Sequence, residues 1–122
     1  MTYRSLAFVA LTMLVATIPA LGADVTGKWT ATFETQIGTQ NYTYDFKVDA
    51  GKLTGTAKSQ NGEAKIEEGV VNGDDISFVE NLDFQGQPLK ITYKGKISGD
   101  EIKFTRNVAD MVTEELVAKR AK

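Results

Sequence analysis

From Gly27 onward, bulky apolar and polar residues alternate with a period of two, the pattern of strands that bury one face. Residues 27–35 set Trp29, Ala31 and Phe33 on one side against Lys28, Thr30, Thr32 and Glu34 on the other. Residues 40–49 set Tyr42, Tyr44, Phe46 and Val48 against Thr43, Asp45 and Lys47. Residues 52–59 turn Leu53, Gly55 and Ala57 inward. Strict alternation over 64–71 groups Ile66, Glu68 and Val70, and over 75–82 it groups Ile76, Phe78, Glu80 and Leu82. Residues 89–97 offer Leu89, Ile91, Tyr93 and Ile97, with Lys90, Lys94 and Lys96 outward. Residues 101–108 offer Ile102, Phe104, Arg106 and Val108.

Turn chemistry separates these runs: Asp49-Ala50-Gly51, Asn61-Gly62, Asn72-Gly73-Asp74, a looser Gly86-Gln87-Pro88 loop and Ser98-Gly99-Asp100. Connections this short favour antiparallel neighbours, since parallel strands need crossovers of about a dozen residues. Val71 to Phe78 and Ile97 to Phe104 echo one another, as two hairpins using the same Gly and Asp turn chemistry would. The segment 113–121 has helix formers in Glu114, Glu115, Leu116 and Ala118, but a strand there would pair with the Trp29 strand and remove both open edges. The expected fold is therefore all-β: an antiparallel up-and-down barrel of about eight strands, a size that side chains can fill or that can hold one small ligand.

The first 23 residues follow another pattern. Arg4 precedes an apolar run from Leu6 to Ile18, interrupted only by Thr12 and Thr17, and small residues follow at Ala20, Gly22 and Ala23. These are the parts of a secretory signal peptide, and the run is short for a membrane span of about 20 residues. The expectation is a signal peptide over 1–23 and a single barrel domain over 24–122, exported to the periplasm or the exterior, with no membrane span in its mature form.

Composition narrows the chemistry. The whole chain carries a net charge of −2, and without Arg4 the remaining 13 basic residues stand against 16 acidic ones, a net of −3. A mildly acidic domain is a poor partner for nucleic acid or an anionic membrane. The chain has no histidine and no cysteine, which removes imidazole bases, thiol nucleophiles, disulfides and the usual zinc ligands. No metal site, cofactor or catalytic residue is expected. Glu68 and Glu80 are the one carboxylate pair that invites an acid–base reading, and the rest of the sequence gives it no support.

Gly27-Lys28-Trp29 resembles the Gly-x-Trp of the first strand in the calycin group, the lipocalin- and avidin-type barrels. In those families an Arg or Lys of the last strand packs across the Trp, a place that Arg120 or Lys119 would take. Leu53-Thr54-Gly55-Thr56 resembles the third-strand hairpin of avidins. The mature chain is also similar to small exported bacterial domains that end in Thr-Glu-Glu-x-x-Ala-Lys-Arg, here Thr113 to Arg120. The resemblance implies a calycin-like barrel plugged at one end by Trp29 and Arg120. It does not imply biotin binding: no tryptophan follows Trp29, Ala57 replaces a tyrosine and Ala31 an asparagine, although Ser59 matches a serine of that site.

The charge on the inward face leaves two readings. Arg106, Glu80 and Glu68, with Tyr42, Tyr44 and Tyr93 beside them, can form an internal network that fixes register, because buried charges are paired. They can equally line a pocket for a small, partly apolar or anionic ligand, with Arg106 gripping an acid and the tyrosines supplying flat surface. The expected function is non-catalytic binding of such a small molecule; the alternative is a solid-cored accessory or protein-interaction domain. The sequence does not fix the oligomeric state.

Overall fold

A computed structural model describes residues 24–121, so the signal-peptide reading of 1–23 lies outside the described residues. Eight strands run in chain order: β1 Gly27–Thr35, β2 Gly38–Asp49, β3 Lys52–Ser59, β4 Gly62–Asn72, β5 Asp75–Phe84, β6 Gln87–Ser98, β7 Glu101–Val108 and β8 Val112–Arg120. Each pairs antiparallel with the next, and β8 returns to β1, closing an up-and-down barrel. The last segment is a strand despite its helix-forming residues, because as a strand it pairs the edges of β1 and β7, which a helix there would leave open. The closing seam is short: Trp29 pairs with Arg120 and Thr30 with Lys119. Continued in the same register, it would set Glu34 against Glu115, a like-charge pair that opposes further zipping.

Two expectations need correction. The Gly86-Gln87-Pro88 loop is a tight hairpin. Gln85 and Gly86 take φ of 54° and 82°, and Pro88 already pairs with Asp83 within the β5–β6 ladder. The alternation of β4 also breaks. Its pairing slips by one residue against both β3 and β5 between Lys65 and Val70, which marks an extra residue in β4. Glu68 sits there with φ of 52°, in the left-handed region that marks many bulges. After the bulge the parity flips: Ile66 and Val71 point inward, whereas Glu68 is exposed and Val70 is 51% exposed. Glu68 therefore leaves the inward set. A Cβ at Gly69 would lie 2.3 Å from the Leu53 carbonyl oxygen, so the bulged strand runs too close to β3 for any side chain there.

Inside, aromatic rings fill the barrel. Tyr42, Tyr44 and Phe46 stack along β2 with centroids 5.3 and 5.6 Å apart. Phe78 lies 4.3 Å from Tyr93 across the β5–β6 ladder, and Phe104 packs edge-on against both. Gly95 makes room for Phe104, whose ring stands 2.7 Å from where a Cβ would go.

Candidate functional site at the turn end of the barrel

The barrel has two unlike ends. At the first, the Asp24–Thr26 segment folds across the opening and Val25 is fully buried above Trp29. The Trp29 indole N–H donates to the Val25 carbonyl at 2.9 Å. The Arg120 guanidinium lies 4.5 Å from the Trp29 ring, donates to the Thr26 and Asp24 carbonyls and is paired with Asp100 at 3.0 Å. One cation thus holds the lid to the plug.

At the second end the hairpins β1–β2, β3–β4, β5–β6 and β7–β8 surround a half-open cup of about 240 Å³. Its walls are apolar, from Ile37, Leu82, Leu89, Ile91, Val108 and Met111, and its polar lining includes Gln40, Asn61, Arg106 and Glu114. Ile37 and Met111, 60% and 75% exposed, stand at the rim.

Beneath the cup lies a buried polar network. β6, β7 and β8 bring Tyr93, Arg106 and Glu114 side by side, since Tyr93 pairs with Arg106 and Arg106 with Glu114. Arg106 Nε donates to the Tyr93 hydroxyl at 3.0 Å, Nη2 to the Tyr42 hydroxyl at 2.9 Å, and Nη1 to Glu114 Oε1 at 2.5 Å. The two phenols pass the interaction on: Tyr42 donates to Glu80 Oε2 at 2.8 Å and Tyr93 to Oε1 at 3.0 Å. With its proton committed to Glu80, Tyr93 accepts from Tyr44, 3.0 Å away. The Arg106 guanidinium also lies 5.2 Å from the centroids of the Phe33 and Tyr42 rings.

Both Glu80 oxygens accept protons, so the arrangement fits an ionised carboxylate. Burial pushes its pKa up, against the hydrogen bond from Tyr42, the charge of Arg106 and the hydrogen bond from Tyr93. Burial likewise raises the Tyr42 hydroxyl to about 12, with the neighbouring Glu80 charge adding to it, and carries Tyr44 and Tyr93 well above the ordinary tyrosine value. These phenols stay protonated near neutrality and act as donors. Burial disfavours the Arg106 charge, but the surrounding Tyr93, Tyr42, Glu80 and Glu114 oxygens outweigh it and hold the pKa above that of ordinary arginine.

Of the candidate residues, the structure brings Arg106, Glu80, Tyr93, Tyr44 and Tyr42 together and puts Glu68 on the outer surface. Only Arg106 of these lines the cup. Glu68 and Glu80, on opposite faces of the wall, cannot flank one substrate. Sequence reasoning missed Glu114 and Gln40. Pairing β8 to β7 through the Ala109-Asp110-Met111 turn would have set Glu114 opposite Arg106. Gln40 shares the parity of Tyr42 and Tyr44, so the alternation of its run was the signal that could have placed it inward.

No family model, curated protein or solved structure matches the chain. Among the described residues no group of three or more His, Cys, Asp or Glu side chains could hold a metal ion, and no helix is long and apolar enough to cross a membrane.

Proposed function

We propose that this is an exported, non-catalytic binding barrel that holds a small, partly apolar molecule in the cup at its turn end. The observation that carries the reading is the contrast within one interior: closely packed rings over most of its depth, then an apolar-walled space of about 240 Å³. That is a little below the roughly 300 Å³ at which drug-sized pockets begin, so the ligand is small. Exposed Ile37 and Met111 at the rim extend the apolar surface outward. The non-catalytic part rests on Glu80, whose oxygens are both engaged by tyrosines out of reach of a substrate in the cup. Export rests on the N-terminal pattern. Calycin kinship is supported by Gly27-x-Trp29 beneath Arg120 on an up-and-down barrel.

The test is a thermal-shift and NMR screen with small apolar alcohols, amides, amines and acids. A ligand at about 100 times its Kd should add roughly 2.7 kcal/mol of stability. Amide shifts should concentrate around Ile37, Asn61 and Met111 and vanish in a cup-filling Leu89→Trp variant. A flat screen would overturn the binding reading in favour of the second, a solid-cored accessory domain, which the dense packing beneath the cup favours. Pull-down from the exported fraction is then the measurement to make.

A further inference from the structure

The floor of the cup has polar groups left over, and their signs restrict what it can take. Gln40 is only 4% exposed, and its amide oxygen accepts from Asn61 Nδ2 at 2.9 Å. Its own NH₂ group has no partner among the described residues, although a buried amide donor is costly to leave unpaired. Arg106, 5% exposed, uses three of its five N–H donors on protein oxygens, and the other two have no partner among the described residues. Beside them, Glu114 spends Oε1 on Arg106, while Oε2 has no partner among the described residues. All three residues line the cup. The floor therefore presents donors from Gln40 and Arg106 next to an acceptor from Glu114.

Charge decides between ligands. One guanidinium is shared by two carboxylates, Glu80 through the phenols and Glu114 directly, so the cluster carries a net −1. A simple acid would meet donors but add a second net negative charge to a partly desolvated site. A simple amine would balance the charge but leave the Gln40 amide unpaired. An anionic acceptor and a cationic donor on one small molecule pair the donors and the Glu114 oxygen together without making the site more negative, and an apolar substituent fills the walls of Leu82, Leu89, Val108 and Met111.

The geometry points to the cup as a site for a small zwitterion with an apolar side chain, of the chemical class of the aliphatic α-amino acids. The carboxylate takes the Gln40 and Arg106 donors, the ammonium takes Glu114 Oε2, and the side chain faces the rim. This rests on the cup being a binding site, and the experiment separates the two claims.

The full mature domain is titrated by NMR and calorimetry with four matched probes: leucine, 3-methylbutylamine, 4-methylpentanoic acid and 3-methylbutanol. Leucine should bind tightest, with the amine and the acid each weaker by about tenfold or more, the range of one charge-assisted hydrogen bond. Glu114→Gln should weaken leucine and the amine by a similar factor and narrow the gap between leucine and the acid; circular dichroism and melting confirm that this variant is folded. Gln40→Met should weaken leucine and the acid but not the amine. If the acid or the alcohol matches leucine at the cup, the zwitterion assignment is wrong while the cup remains a binding site. If none of the four perturbs the amides of Ile37, Asn61 and Met111, and Leu89→Trp titrates identically, both readings fall.

Discussion

At one end of the barrel the chain folds back over its own tryptophan; at the other, four hairpins rise past the last packed rings and leave a cup. The closed end is built from local economy. Trp29, Val25 and the Arg120 strap are joined by an indole N–H bond, a cation–π contact and two carbonyl contacts, and Arg120, which donates to Asp100, Thr26 and Asp24, is one-third exposed, so its other two N–H groups are open to water. The open end keeps donors of Gln40 and Arg106, both almost fully buried, without protein partners among the described residues, beside an unpartnered oxygen of the partly buried Glu114. Natural interiors satisfy nearly all such groups. That difference is why the proposed binding site is placed in the cup and not at the closed end.

The sharpest way to break the comparison is to remove the plug. Trp29→Ala deletes a fully buried ring and should cost about 3–5 kcal/mol by urea denaturation, while whatever remains folded keeps its cup ligand. A variant with unchanged melting but lost binding would put the site at the wrong end. Next comes the network between the two ends. Arg106→Met leaves Glu80 buried without its cation and should cost about 3 kcal/mol or more.

Glu80→Gln addresses the same network through pH. The folded protein holds the Glu80 proton more tightly than the unfolded chain, whose carboxyl has the ordinary value of 4.5. This contribution to stability is fully present below that value and is lost as pH rises through the higher folded pKa. Relative to Glu80→Gln, the native protein should therefore lose stability as pH climbs from about 4.5 through that window. Parallel curves for the two proteins would show that burial does not govern this carboxyl. Arg120→Ala should cost a smaller 1–2 kcal/mol, roughly one cation–π contact plus its hydrogen bonds, and should leave the cup unaffected. The smallest stability effect belongs to the rim: Ile37→Ser with Met111→Ser should change unfolding by about 0.5 kcal/mol or less per site and yet weaken ligand binding. If the rim variants cost more than Arg120→Ala, those side chains are part of the packed structure and not a mouth.

Much of this was legible from residues alone, and the failures have one cause. Alternation named the inward faces of six strands and of β4 as far as Ile66, because a sheet residue's side is set by parity, and parity is a local property. It failed for Glu68 and Val70, since one extra residue in β4 reverses parity for everything after it. No residue pattern within β4 announces that bulge; it shows only in the ladders to β3 and β5, with Gly69 pressed against Leu53. The Gln85-Gly86 turn was misread for a similar reason, as Pro88 suggests a loop until its partner Asp83 is known to accept it within the ladder.

What the sequence determined by itself was therefore the periodicity of burial, the turns and hence the barrel, with Trp29 and Arg120 at its two chain ends. Each follows from neighbours one or two positions apart or from the need to close a sheet. Only the tertiary structure decided that Arg106 reaches Glu80 through Tyr42 and Tyr93, and that Glu114 completes the cluster. It alone decided that the packed rings end below Gln40, leaving a cup. Those facts depend on shear around the barrel, which ranks side chains from different strands along its axis, and no single strand records its own height.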